Sequence, residues 1–113
     1  MIYHMVPADY WNKQAVDSPY RTDTFDDEGF IHASGSPEQL LQTAQRYYQS
    51  DPTPYVIVCV DESKLDAELR WELSHAERFP HIYGLLNRTA VVDIVPFPRK
   101  DDGAFVLPSD LVA

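Results

Sequence analysis

The chain is short of cysteine and of long hydrophobic runs, and each shortage excludes a class of protein. Its 113 residues include one cysteine, so an internal disulfide is excluded and a reducing compartment is favoured. That residue, Cys59, lies within an apolar run, which is typical of an inert buried thiol rather than a nucleophile. No apolar run approaches the length of a membrane span, and the N-terminus lacks the pattern of a signal peptide. We therefore expect a cytoplasmic protein.

Positive charge is the second shortage. Nine Lys and Arg residues stand against eighteen Asp and Glu residues, which gives a formal net charge of −9. A protein that binds nucleic acid by neutralising phosphates needs a basic face, and an anionic membrane surface makes the same demand. We therefore expect neither nucleic acid nor a membrane as a partner, and we expect a small-molecule ligand instead.

The distribution of apolar residues predicts a single α+β domain spanning residues 1–113. β-branched and aromatic runs predict strands at residues 2–6, 29–33, 55–60, 69–73 and 90–95. Residues 80–84 follow as a further extended segment, and residues 104–107 are predicted to pair back through the turn at residues 101–103. One short helix is predicted at residues 8–15, and residues 21–28 are predicted to be an exposed loop. The result is a split or mixed, mostly antiparallel sheet of about six strands with one long and one short helix.

The long helix has the clearest local signals. Ser36 is a suitable N-cap, Pro37 suits the first helical position, and Gln39 completes a capping box. The apolar residues that follow form one stripe at helical spacing, made up of Leu40, Leu41, Ala44, Tyr47 and Tyr48. We expect this stripe to pack against the sheet.

Short catalytic signatures are absent from the sequence, including a phosphate-binding glycine-rich loop, a zinc-protease motif and paired cysteines. The candidates are therefore isolated polar residues on strand-like segments. His32 is either a hydrogen-bonded core histidine or a donor that lines a cleft. Ser34 and its neighbours either hold an anion at the start of the long helix or simply cap that helix.

Two later segments supply the second group of candidates. Arg70 and Glu72 share one face of their strand, where they either pair with each other or contact a ligand. In a cleft, Arg70 suits a phosphate or carboxylate and Glu72 suits a sugar hydroxyl. His81 and Tyr83 share a face if their segment is extended, and Gly84 then permits a close backbone approach.

Histidines on the strands raise the further alternative of a metal site, since imidazole is the commonest metal ligand. His4, His32 and His81 lack the short sequence spacing of a preformed site, so we predict no metal ligands. His4 is predicted to be exposed on the first strand and is a weaker candidate than the others. Trp71, opposite the polar face of its strand, is predicted to lie in the core.

Three ordered motifs resemble the bacterial family called domain of unknown function 952. They are GFIHAS at residues 29–34, LRWE at residues 69–72 and FPHIYG at residues 79–84. The resemblance extends from Ile2 to Phe105. One departure is Leu85, where members of the family often have proline.

That family is similar to a compact ADP-ribosyltransferase fold, a split sheet that binds NAD. The resemblance implies that His4 corresponds to the first-strand histidine of such enzymes, and that Gly29, His32 and either Tyr47 or Tyr48 match the next pattern. Glu72 and His81 compete for the role of the later polar residue.

The implied function is binding of NAD or another ADP-ribosyl compound, with transfer or hydrolysis at the nicotinamide–ribose bond. His32 would orient a ribose hydroxyl, Tyr83 would stack on nicotinamide, and Arg70 would hold a phosphate. No cofactor is implied beyond NAD as a substrate. The alternative from another class is a non-enzymatic module that binds a small anionic ligand or a nucleotide. A histidine-based metal site is the third.

Overall fold

The computed structural model describes residues 1–111 of the chain, which fold into six strands and three α-helices. The strands are β1 (Ile2–Pro7), β2 (Ile31–His32), β3 (Tyr55–Val60), β4 (Glu68–Ser74), β5 (Glu77–Tyr83) and β6 (Val91–Pro96). The helices are α1 (Ala8–Lys13), α2 (Phe25–Glu28) and α3 (Pro37–Tyr47), with short 3₁₀ turns at Glu62–Lys64, Arg88–Ala90 and Ser109–Leu111. The α+β class is confirmed. The strands form two antiparallel sheets of three, in the orders β1–β3–β6 and β2–β5–β4, rather than one sheet of six.

Strand β3 lies at the centre of the first sheet, as its continuous apolar run predicts. It pairs antiparallel with β1 from Ile2–Val60 to Pro7–Tyr55, and with β6 on its other side. Apolar residues on both faces of β3 are buried, because α3 covers one face and the second sheet covers the other. Cys59 is buried here, and burial raises the pKa of its thiol to about 11. The prediction of a buried thiol is therefore confirmed.

Helix α3 begins as its sequence predicts. The Ser36 hydroxyl accepts the Gln39 N–H at 3.1 Å, and the Gln39 side chain accepts the Gly35 N–H at 2.7 Å. These bonds satisfy donors at the start of the helix, so the capping alternative describes this segment. Leu40 and Ala44 are buried against β1 and β3, whereas Tyr47 at the far end of the stripe is 53% exposed.

Strands β4 and β5 form a hairpin, and β5 begins three residues before the extended segment predicted at residues 80–84. Its two turn residues, His75 and Ala76, have positive φ angles of 51° and 65°. Such angles give the twist of a tight hairpin turn but are unusual for residues other than glycine. Trp71 is 44% exposed, so its predicted place in the core is wrong. Its ring lies over Gly35, where an added Cβ would come within 2.7 Å of it.

Three other segments differ from their predictions. Helix α1 ends two residues early, and residues 104–107 form a single bridge, between Arg99 and Phe105, instead of a paired strand. The predicted loop at residues 21–28 contains α2, which Gly29 ends in a left-handed conformation with φ at 81°. Strand β2 is therefore shorter than predicted. No helix within residues 1–111 has the length and apolar character needed to cross a membrane.

Candidate functional site

The two sheets meet at one bridge, and a cleft opens where they separate. Ser34 donates its N–H to the Tyr3 carbonyl at 2.7 Å, and Tyr3 donates its N–H to the Ser34 carbonyl at 2.9 Å. A continuous antiparallel ladder would next place Met5 opposite His32. Instead, the His32 carbonyl accepts a hydrogen bond from the His4 side chain, with 2.6 Å between that oxygen and Nδ1. The imidazole of His4 thus lies at the point where the sheet splits.

His4 is buried rather than exposed, with 5% of its surface accessible, so the prediction of an exposed side chain is wrong. A carbonyl only accepts hydrogen bonds, so Nδ1 of His4 carries the proton. Nε2 then accepts the hydroxyl proton of Tyr20 at 2.8 Å. Burial lowers the pKa of His4 to about 4, so the ring is neutral at physiological pH. Both ring nitrogens are bonded within the protein, which suits a structural role, and the role in ligand binding stays a prediction.

The cleft has a volume of about 590 Å³, and aromatic rings are prominent in its lining. All four histidines of the chain contribute to its walls, as do two carboxylates, Asp23 and Glu28. Among the described residues that line it there is no Lys or Arg. The aromatic members of the lining are Tyr3, Tyr10, Tyr20, Tyr47, Tyr48, Tyr55 and Phe79. A pocket of this size and composition suits a flat, uncharged or cationic ring.

His32 lies at the rim of the cleft and is held by Glu28. Its side chain is 58% exposed, so of the two alternatives the structure shows a residue that lines a cleft and not a core histidine. Nε2 donates to the Glu28 carboxylate at 2.8 Å. Hydrogen bonds from His32 and from Thr24 lower the pKa of Glu28, which is therefore ionised at neutral pH.

His81 lies deeper and is held by Glu72 in the same manner. Its side chain is 11% exposed, and Nδ1 donates to the Glu72 carboxylate at 2.8 Å. The same carboxylate oxygen accepts the hydroxyl proton of Tyr83. These hydrogen bonds, with that of Tyr83 first, lower the pKa of Glu72, and the bond to Glu72 raises the pKa of Tyr83. In the neutral form of His81 the proton is therefore on Nδ1, toward Glu72.

The rings of His32 and His81 lie close together because their residues are paired across β2 and β5. Their centroids are 5.2 Å apart and their planes are nearly perpendicular. Phe30 stacks on His81 at 4.3 Å and contacts His32 at 4.7 Å. Two imidazoles, each fixed by its own carboxylate, thus face the same space.

The remaining sequence candidates lie beside the cleft rather than in its lining. Arg70 shares the predicted face with Glu72, but it pairs with Glu68, at 2.9 Å and 3.1 Å. Its guanidinium also lies 4.3 Å from the centre of the Tyr83 ring. Gly84 makes the close approach predicted for it, since an added Cβ would come within 2.7 Å of the Ala67 side chain. Of the predicted site residues, the lining includes His4, His32, Ser34 and His81, and omits Arg70, Glu72, Tyr83 and Gly84.

The tip of the β4–β5 hairpin closes one side of the cleft against α3. The Gln39 side chain donates to the Arg78 carbonyl at 3.1 Å, and Tyr47 is hydrogen-bonded to His75. Because Tyr47 and His75 both line the cleft, this contact forms part of its wall.

Sequence reasoning missed two residues that hold the site together. Glu28 falls in the predicted exposed loop at residues 21–28, and no motif in the sequence marks Tyr20. Glu28 reaches His32 only because the left-handed Gly29 reverses the chain between them, a conformation that no periodic pattern signals. Within residues 1–111 no group of three or more His, Cys, Asp or Glu side chains is placed to hold a metal ion.

Comparisons with known proteins agree with this fold. The family model described as protein of unknown function (DUF952) matches residues 5–94. The crystal structure of protein CC0527 from Caulobacter crescentus is 26% identical over 99% of this chain and 98% of that chain, with a TM-score of 0.84. Its solution NMR structure is 27% identical over 90% of this chain and 88% of that one, with a TM-score of 0.73. No curated protein sequence matches the chain.

Proposed function

This chain belongs to the DUF952 family of proteins of unknown function, and we propose that it binds a nicotinamide ribosyl compound such as NAD in the cleft between its two sheets. The reaction would break the nicotinamide–ribose bond, by transfer to an acceptor or by hydrolysis. A cleft at the point where two antiparallel sheets part also suits the split NAD-binding sheet that the sequence motifs suggest.

The observation that carries the proposal is the composition of the cleft. Its walls are rich in aromatic rings, two carboxylates reach it, and its described lining holds no Lys or Arg. The nicotinamide ring of NAD is cationic, and a cation is attracted both to aromatic faces and to carboxylates. A small anionic ligand would find no Lys or Arg side chain in this lining. The cleft therefore suits the nicotinamide end of NAD better than its diphosphate, and the anionic-ligand alternative has less support.

Met5 provides a second feature that suits nicotinamide. The backbone groups of Tyr3 face Ser34, so by alternation along β1 those of Met5 face the same side, where the sheets have parted. The described residues give the Met5 N–H and carbonyl no partner there. A primary carboxamide carries one acceptor and a donor group in complementary positions, so it can satisfy both.

The residues present supply the chemistry that bond cleavage needs. The C1′–N bond breaks with its electron pair leaving on neutral nicotinamide, and positive charge develops on the ribose, as in glycoside hydrolysis. Glu28 is ionised and lies in the lining, so it is better placed than Glu72 to stabilise that charge. The acceptor must lose a proton, and the imidazole of His32 at the rim can take it.

The test is nicotinamide release from NAD, measured by chromatography and accompanied by the melting temperature in the presence of NAD. We expect millimolar NAD to raise the melting temperature and nicotinamide to accumulate. Glu28→Gln should slow release by about 10²–10³-fold, because it removes the charge that faces the ribose.

Glu62→Gln is the matched control, because it makes the same chemical change at a residue outside the cleft, beside the N-terminus. It should release nicotinamide at the wild-type rate. If millimolar NAD neither raised the melting temperature nor released nicotinamide, the proposal would be refuted. Stabilisation without release would favour the non-enzymatic binding module.

A further inference from the structure

We infer that His32 and His81 act together as a general acid–base pair, and that the site therefore also cleaves ribosyl compounds whose leaving group must be protonated. The substrate class is the O-glycosides of ADP-ribose, in which C1′ is joined to an uncharged alcohol oxygen. The inference rests on that part of the proposed function which places a ribosyl group in the cleft.

The two rings are held alike, each by one carboxylate through one nitrogen. Glu28 holds His32 through Nε2, and Glu72 holds His81 through Nδ1. The other nitrogen of each ring, Nδ1 of His32 and Nε2 of His81, has no hydrogen-bond partner within the described part of the chain. Both rings line the cleft with their centroids 5.2 Å apart. One ribosyl group lying against them can come within hydrogen-bonding reach of both, directly or through a water molecule.

Cleavage of NAD needs only one of these rings. Its leaving group departs neutral, so a single base on the acceptor completes the reaction. A neutral O-glycoside would instead expel an alkoxide, which is a poor leaving group unless an acid protonates it. A second imidazole, fixed by a second carboxylate in the same cleft, supplies that acid.

The proposed step is a balanced hydrolysis. The oxygen of water forms a bond to C1′ while the bond from C1′ to the glycosidic oxygen breaks. One imidazole takes a proton from the water, and the imidazolium form of the other gives a proton to the departing oxygen. The products are ADP-ribose and an alcohol. The exposed fraction of each side chain assigns the roles. His32 is 58% exposed and lies beside solvent, so it takes the proton from water, whereas His81 is 11% exposed, lies deeper and gives the proton to the departing oxygen.

The reaction requires one ring to be neutral and the other protonated, so its rate should rise and then fall with pH. The charged and titratable groups beside the pair are Glu28 from α2, Glu72 from β4, Tyr83 from β5, and Arg70, which pairs with His81 across β4 and β5. His4, whose Nδ1 bonds the His32 carbonyl, has a pKa lowered to about 4 by burial and is therefore neutral near physiological pH.

The experiment compares two substrates, NAD and a peptide carrying ADP-ribose on a serine hydroxyl. We expect a bell-shaped pH profile for the serine conjugate. His32→Gln and His81→Gln should each slow its cleavage by about 10²–10⁴-fold and remove one limb of the profile. On NAD, only His32→Gln should have an effect of this size. Glu62→Gln should leave both rates unchanged.

The outcomes separate this inference from the proposed function. Cleavage of NAD without the serine conjugate overturns the inference and leaves the proposed function standing. Cleavage of the conjugate alone supports the acid–base pair and refutes cleavage at nicotinamide. Cleavage of neither overturns both.

A measurement on the unaltered protein covers the case in which the variants do not fold. Nitrogen-15 chemical shifts of the imidazoles at high pH should show the proton of neutral His32 on Nε2 and that of neutral His81 on Nδ1. A proton on Nε2 of neutral His81 would contradict the inference, because Glu72 would then not hold the ring through an Nδ1 proton.

Discussion

Lowering the pH from 6.5 to 4 is expected to reduce the free energy of unfolding by about 3 kcal/mol through His4 alone. The ring is buried with both nitrogens bonded, and burial lowers its pKa from 6.5 to about 4. In this range the unfolded chain takes up a proton that the folded chain does not. The stabilisation is therefore fully present above pH 6.5 and is lost as the pH falls through the folded pKa.

Urea unfolding at a series of pH values, on the wild type and on His4→Gln, checks this expectation. Glutamine can donate to the His32 carbonyl and accept from Tyr20, but it does not titrate. The variant should therefore lose less stability than the wild type between pH 6.5 and 4. Parallel losses in the two proteins would show that His4 is not the group responsible. The paired carboxylates, whose pKa values are lowered, titrate in both proteins and cancel in the comparison.

Leu40→Ala is expected to lower the free energy of unfolding by about 2–5 kcal/mol. Leu40 is 1% exposed and packs in the cluster between α3 and the first sheet, so its removal leaves a cavity. Equilibrium urea unfolding measures the loss. Leu41→Ala is the matched control, because Leu41 is only partly buried against the same cluster. An equal loss from both variants would show that α3 is not held to the sheet by its buried stripe.

Elements whose signals lie within a few residues were predictable. The start of α3 follows from Ser36, Pro37 and Gln39, which satisfy the first donors of the helix locally. The central strand β3 follows from a run that is apolar on both faces, and only a strand covered on both sides suits such a run. The common face of Arg70 and Glu72 follows from the period of a strand.

The cleft was not predictable in the same way, because it depends on pairings between distant segments. Where the sheets separate, the His4 side chain takes the carbonyl of His32, 28 residues away, and nothing in the alternation of β1 signals this bond. Arg70 pairs with Glu68 because both side chains lie on the same face of the edge strand β4. The ligand contact predicted for Arg70 therefore competes with its ion pair to Glu68. The apolar side chain of Trp71 suggests a core residue. Its strand β4 lies at the edge of the sheet, however, and this position leaves the side chain exposed.

The central proposal is that the cleft receives the nicotinamide end of NAD. The most direct test is the backbone amide resonance of Met5 in a titration of nitrogen-15-labelled protein with NAD, and separately with ADP. NAD should shift this resonance strongly, because the carboxamide would bind at the Met5 N–H, and ADP, which lacks that group, should not. A Met5 resonance that stays in place at saturating NAD, or that ADP shifts equally, would contradict the proposal.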